Sequence, residues 1–138
     1  MEGLFVKKLG PFIFLICLLM APAGCHRKPM KSIVLIPQAE NESPSIYAEE
    51  GGILEFRMDK GIPDNSTFSL QFSQQVCDPK DKLDGTNTQP VTCHVTAKSG
   101  DYDVTISETI GSTKNQPRHM LPPREVKAYI RPCKNCGK

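Results

Sequence analysis

From residue 32 onward, apolar and polar side chains alternate in short runs separated by turn residues. Ile53 to Met58 sets Leu54, Phe56 and Met58 on one side and Glu55 and Arg57 on the other, and Thr67 to Phe72 sets Phe68, Leu70 and Phe72 against Ser69 and Gln71. Val91 to Ala97 groups Val91, Cys93, Val95 and Ala97 against Thr92, His94 and Thr96. Tyr102 to Glu108 aligns Tyr102, Val104 and Ile106, and Val126 to Pro132 aligns Val126, Ala128 and Ile130. Ser32 to Pro37 is a short β-branched run, and Ser45 to Ala48 is a further edge piece. Because a strand sends successive side chains to opposite faces, each period-two run makes one apolar face and one wet face; helical spacing is nowhere sustained. With Gly-Asp, Pro-Asp and Asp-Gly turn signals between them, about seven such strands predict an all-β, two-sheet antiparallel sandwich in which each sheet covers the other. Two longer connections, residues 77–90 and 109–125, stand out, and connections of that length are usually either functional or mobile.

The stretch Ser99-Gly100-Asp101-Tyr102-Asp103-Val104 resembles the G-x-Y-x-V/C entry to a late strand in immunoglobulin-like and cupredoxin-like sandwiches, including small bacterial exported ones. The resemblance covers roughly residues 32–132 and implies the sandwich architecture in one of these two topologies.

Ahead of these runs the pattern changes. Lys7 and Lys8 precede the apolar run Phe12 to Met20, which is followed by Ala21, Pro22, Ala23, Gly24 and Cys25. That is the basic, apolar and small-residue order of an export signal. The run is too short to cross a bilayer, which takes about 20 apolar residues. Pro22-Ala23-Gly24-Cys25 resembles the bacterial lipobox, which implies diacylation of Cys25 and a membrane anchor, although Pro22 stands where that pattern prefers leucine. Ala21-Pro22-Ala23 is equally an acceptable site for ordinary cleavage before Gly24, which would release a soluble protein. Removing Cys17 with the signal leaves five cysteines, and lipidating Cys25 leaves an even four for pairing. The expected organisation is a signal at 1–24, the lipidated cysteine and a basic tether at 25–31, the sandwich at 32–133 and a tail at 134–138. His26 after Cys25 resembles lipoproteins sent to the outer membrane of cells that have two membranes; without acylation the product is periplasmic or secreted.

Composition narrows the classes. After loss of the signal roughly 110 of the 138 residues remain, room for one core. Twelve prolines, ten glycines and no tryptophan agree with a turn-rich β chain rather than a helical bundle. A net charge of +2, with acids scattered among the bases, predicts no nucleic-acid partner.

The remaining four cysteines are Cys77, Cys93, Cys133 and Cys136, and exported thiols are expected as disulfides. A Cys77–Cys93 bridge would close the base of the first long connection, but four cysteines allow three pairings and the spacing leaves them open. Cys133-Lys134-Asn135-Cys136 is a C-x-x-C, yet only Gly137 and Lys138 follow it, where a thioredoxin-like site needs a helix; Gly137 also stands where haem attachment requires histidine. A zinc site of all four cysteines lacks a second C-x-x-C. The cupredoxin-like resemblance raises copper, for which His119 and Met120 are the candidate ligands, while Cys93 and His94 point to opposite faces of a strand. Asp101 and Asp103 flank Tyr102 as conceivable calcium ligands, and Asn65-Ser66-Thr67 and Asn41-Glu42-Ser43 match glycosylation acceptors. No nucleophile elbow, H-E-x-x-H helix, paired acids or Gly-rich phosphate loop is present.

The expectation is therefore a non-enzymatic, cofactor-free envelope protein, anchored in the membrane by lipid and binding an envelope protein or a glycan. The competing expectation is a metal-handling or redox accessory that uses His119, Met120 and the cysteines on a degenerate cupredoxin-like frame. Oligomeric state is left open.

Overall fold

The structure is a computed structural model that describes residues 28–37, 42–78 and 82–134. The export signal, Cys25 and Cys136 lie outside the described residues. Ten strands follow in order: β1 Lys31–Ile36, β2 Ile46–Glu49, β3 Ile53–Met58, β4 Thr67–Phe72, β5 Cys77–Asp78, β6 Lys82–Thr86, β7 Val91–Val95, β8 Gly100–Ile110, β9 His119–Met120 and β10 Arg124–Arg131. The described residues contain no helix. One sheet runs β1-β3-β7-β5 and the other β2-β10-β8-β4-β6, with β9 alongside the far end of β8.

The alternation read from the sequence decides the faces. Val34, Ile36, Leu54, Phe56, Met58, Cys93 and Val95 of the first sheet meet Ile46, Phe68, Leu70, Phe72, Val104, Ile106, Val126, Ala128 and Ile130 of the second in one buried cluster. Phe56 and Phe72 touch edge to face across it, with ring centroids 6.4 Å apart, an arrangement that suits the aromatic quadrupole. Tyr102, the aromatic of the Gly-Asp-Tyr stretch, donates its hydroxyl hydrogen to Lys98 O at 2.7 Å and ties the turn before β8 to the strand it opens. On the wet face of the same sheet, Lys127 donates to Asp103 at 2.7 Å, and that bond is the main cause holding the Lys127 ammonium above its usual pKa.

Two expectations need correction. Among the described residues the strands number ten, not seven, and the sheets are not wholly antiparallel: β1 pairs parallel to β3, and β2 parallel to β10. The seven expected runs correspond to β1, β2, β3, β4, β7, β8 and β10. The three additional strands lie in or beside the segments read as long connections, and two of them have only two residues each. The third, β6, hides its alternation because the second inward position is Gly85. A Cβ there would lie 2.3 Å from the Phe68 ring, so the ring fills the space a side chain would have used to announce a strand.

β8 also runs further than expected, to Ile110, which places Glu108 on the inward face after Val104 and Ile106. Glu108 is 2 % exposed. Its carboxylate pairs with the guanidinium of Arg124 at the start of β10, and Arg124 also donates to the carbonyls of Glu42 and, at 3.1 Å, Pro37. One half-buried cation thus joins β8 and β10 to the connection that carries the chain from one sheet to the other. Burial pushes the Glu108 carboxyl above its usual value, against the opposing pull of Arg124.

Candidate functional site

The connections β3–β4, β6–β7 and β8–β9 meet at one end of the two sheets, and each is held by its own hydrogen bonds. Asn65 adopts φ 63° in the Pro63-Asp64-Asn65-Ser66 turn, a left-handed conformation that asparagine tolerates better than most residues. Thr86 Oγ1 accepts from Gln89 N at 3.0 Å, and Thr113 Oγ1 accepts from Gln116 N at 3.1 Å, so a threonine hydroxyl closes each of the other two turns.

Ser66 links the three. It is fully buried; its hydroxyl donates to Pro63 O at 2.6 Å and accepts from Gly111 N at 2.7 Å, while its carbonyl accepts from Asn87 N at 3.1 Å. Gly111 is required here for space: a Cβ on it would sit 1.8 Å from Asp64 O, a backbone atom that cannot swing aside. Gly111→Ala is therefore expected to cost about 1–3 kcal/mol or more by overpacking. An unchanged urea midpoint would show that the loops do not meet as described.

Two adjoining hollows open on this framework. The first, about 470 Å³, lies along β4, β6 and β8; Thr67, Ser69, Asp84, Thr86, Gln89, Ser107 and Thr109 provide its polar lining, and Phe68, Pro90, Val91 and Met120 its apolar parts. The second, about 650 Å³, lies among the loops and is lined by Asp64, Asn65, Ser66, Thr67, Thr86, Asn87, Thr88 and Arg118. They share Thr67 and Thr86, so strand face and loop end form one cleft of mixed polar and apolar lining. Hydroxyls both donate and accept, carboxamides do the same through separate atoms, Arg118 only donates, and ionised Asp64 and Asp84 only accept. Such a lining can satisfy a ligand whose own groups alternate between donor and acceptor.

The cysteines and histidines fall elsewhere. Cys77 and Cys93 form a disulfide between β5 and β7, with Cα atoms 5.4 Å apart and both residues fully buried. Cys133 is also disulfide-bonded. His94 is exposed on the outer face of the first sheet, opposite in direction to Cys93. His119 and Met120 are exposed on β9; His119 Nδ1 lies 3.1 Å from Pro117 O, and Met120 borders the cleft. Among the described residues, no group of three or more His, Cys, Asp or Glu side chains is gathered as a metal ion would need. Of the cleft residues, the sequence had singled out only Met120 for chemistry, and Asn65 with its neighbours for glycosylation. The other polar residues are Ser, Thr, Asn, Gln, Asp64, Asp84 and Arg118, and no spacing signal distinguishes them from solvated turns.

No protein-family model, curated protein or solved structure matches this chain.

Proposed function

We propose that this chain is an exported, lipid-anchored and non-enzymatic protein of the cell envelope that binds a glycan in the cleft at its loop end. The observation that carries the reading is the cleft itself: hydroxyl, carboxamide and charged groups on strands and hydrogen-bonded turns, interspersed with Pro90, Val91 and Met120 as apolar contacts for the C–H faces of a sugar. A polyhydroxylated ligand matches that mixture of donors and acceptors, and groups held in place before binding lose little entropy when the ligand arrives. The frame is a β-sandwich of the cupredoxin-like kind. Support for that topology is the strand order, which puts β1 and β2 in different sheets, whereas the constant-type immunoglobulin arrangement keeps its first two strands side by side in one. Export and acylation rest on Lys7, Lys8, the apolar run and Cys25.

The test of binding is retention of the purified mature protein on an array of envelope glycans. Arg118→Ala and Asn87→Ala each remove side-chain donors to the ligand. Each is expected to weaken binding about 3- to 10-fold, the equivalent of one hydrogen bond of roughly 0.5–1.5 kcal/mol. Binding to no glycan, or binding by both variants as tight as the parent's, would remove the reading. For the anchor, labelled palmitate is expected in the parent chain and not in Cys25→Ser; label persisting in that variant excludes acylation at Cys25.

A further inference from the structure

Large apolar side chains exposed among the described residues are Met30, Ile33, Leu35, Tyr47, Tyr129 and Met120. All but Met120 lie on or beside β1, β2 and β10, at the edge where the first strands of the two sheets approach each other. Ile33 and Leu35 are 55 % and 53 % exposed on the outer face of β1, which among the described residues pairs only with β3. Met30 and Tyr47 line a shared hollow of about 200 Å³ between the two edges, and Tyr47 stacks on Tyr129 with ring centroids 5.2 Å apart. Apolar side chains thus flank this edge on both sheets, Ile33 and Leu35 on the first and Tyr47 and Tyr129 on the second, and an edge so bordered is unusual on a surface that faces only water and marks an interaction site.

We infer that this edge lies against an anionic phospholipid bilayer, so that the anchored domain rests on the membrane through β1 and β2 and turns its cleft elsewhere. The inference rests on the lipid anchor proposed above and adds an orientation to it. Three observations select the bilayer as occupant. The first is reach: Met30 is the fifth residue after Cys25, and five fully extended residue steps span at most about 18 Å. An acylated Cys25 therefore keeps this edge close to the head groups.

The second is charge. Lys28 precedes the patch, Lys31 and Arg57 share the single carboxylate of Glu55, and Arg131 lies 5.4 Å from the Tyr47 ring centroid. Glu49 is the acid bordering the hollow, and Asp101 stands opposite Tyr129 in the β8–β10 register. This excess of cations suits anionic head groups, and it would oppose itself if a second copy packed on the same patch about a two-fold axis. The third is side-chain type: tyrosine, with an apolar ring and a polar tip, and lysine, with an apolar stem, are the residues that suit a membrane–water interface.

Photocrosslinking in the intact, exporting cell tests this. Benzoylphenylalanine is placed one site at a time at residue 33, 35 or 88 of the full chain, the last being an exposed position at the cleft end. Each product is resolved by mass spectrometry, with palmitate incorporation followed in parallel. Phospholipid adducts severalfold more abundant at 33 and 35 than at 88 support the orientation. Adducts mainly to a second copy or to another protein, or lipid adducts no more abundant at 33 and 35 than at 88, overturn it. Palmitate label without a lipid adduct removes the orientation and leaves the anchor; a parent chain without label removes both.

Discussion

Arg124→Ala is expected to lower stability by about 3–5 kcal/mol at neutral pH, because it leaves the Glu108 carboxylate charged, buried and without its counter-ion. The loss has a second component, since the same guanidinium donates to the carbonyls of Pro37 and Glu42, so the connection between the two sheets loses its tie to β10. The pH dependence identifies the carboxyl as the cause. Glu108 in the folded protein already has a raised pKa, chiefly from burial, with Arg124 pulling it down. A raised folded value means that the native state holds the proton more tightly than the unfolded chain. The group therefore favours folding most at acid pH, and its contribution falls as the pH rises from the ordinary glutamate value through the raised one. Removing Arg124 removes the opposing pull, so the decline steepens. Urea unfolding at pH 5 and pH 7 should show a smaller deficit for Arg124→Ala at pH 5, and Glu108→Gln should abolish the difference between the two pH values. An equal deficit at both would mean that the lost backbone contacts, not the stranded carboxylate, account for the effect.

The second large effect is expected from the Cys77→Ala, Cys93→Ala double variant. The bridge spans 16 residues of sequence, and in the chain-entropy account a loop of that length constrains the unfolded state by about 3 kcal/mol. Each buried sulfur also leaves a gap in the core cluster when replaced by a methyl group. The elements most affected are β5 and β6: among the described residues β6 pairs only with β4 and β5 only with β7. Reducing agent should lower the midpoint of the parent protein toward that of the double variant. Amide exchange should show the greatest loss of protection in β5 and β6, and loss spread evenly over both sheets would contradict a local role.

Much of the frame was legible because alternation is a local property. Leu54, Phe56 and Met58 point inward for the same reason that Glu55 and Arg57 do not: neighbouring residues of a strand face opposite ways. Where the inward residue had no apolar side chain, the signal failed. Gly85 concealed β6, and Glu108, charged and at an inward position, read as the end of a strand that continues to Ile110. The parallel pairs β1–β3 and β2–β10 left no trace in the pattern, since periodicity names a face and not a neighbour.

The sequence alone therefore determined which side chains enter the core and where seven of the ten strands among the described residues lie. The tertiary structure decided the order of strands in each sheet, the Cys77–Cys93 pairing and the meeting of Glu108 with Arg124. It also formed the cleft from residues as far apart as Asp64 and Arg118. Backbone hydrogen-bond ladders are nearly indifferent to side-chain identity, so partners distant in sequence are chosen only when the whole core packs. The apolar edge at Ile33 and Leu35 belongs to both: alternation turned these residues outward, and the fold left β1 at the rim of its sheet, with no further strand beside it among the described residues.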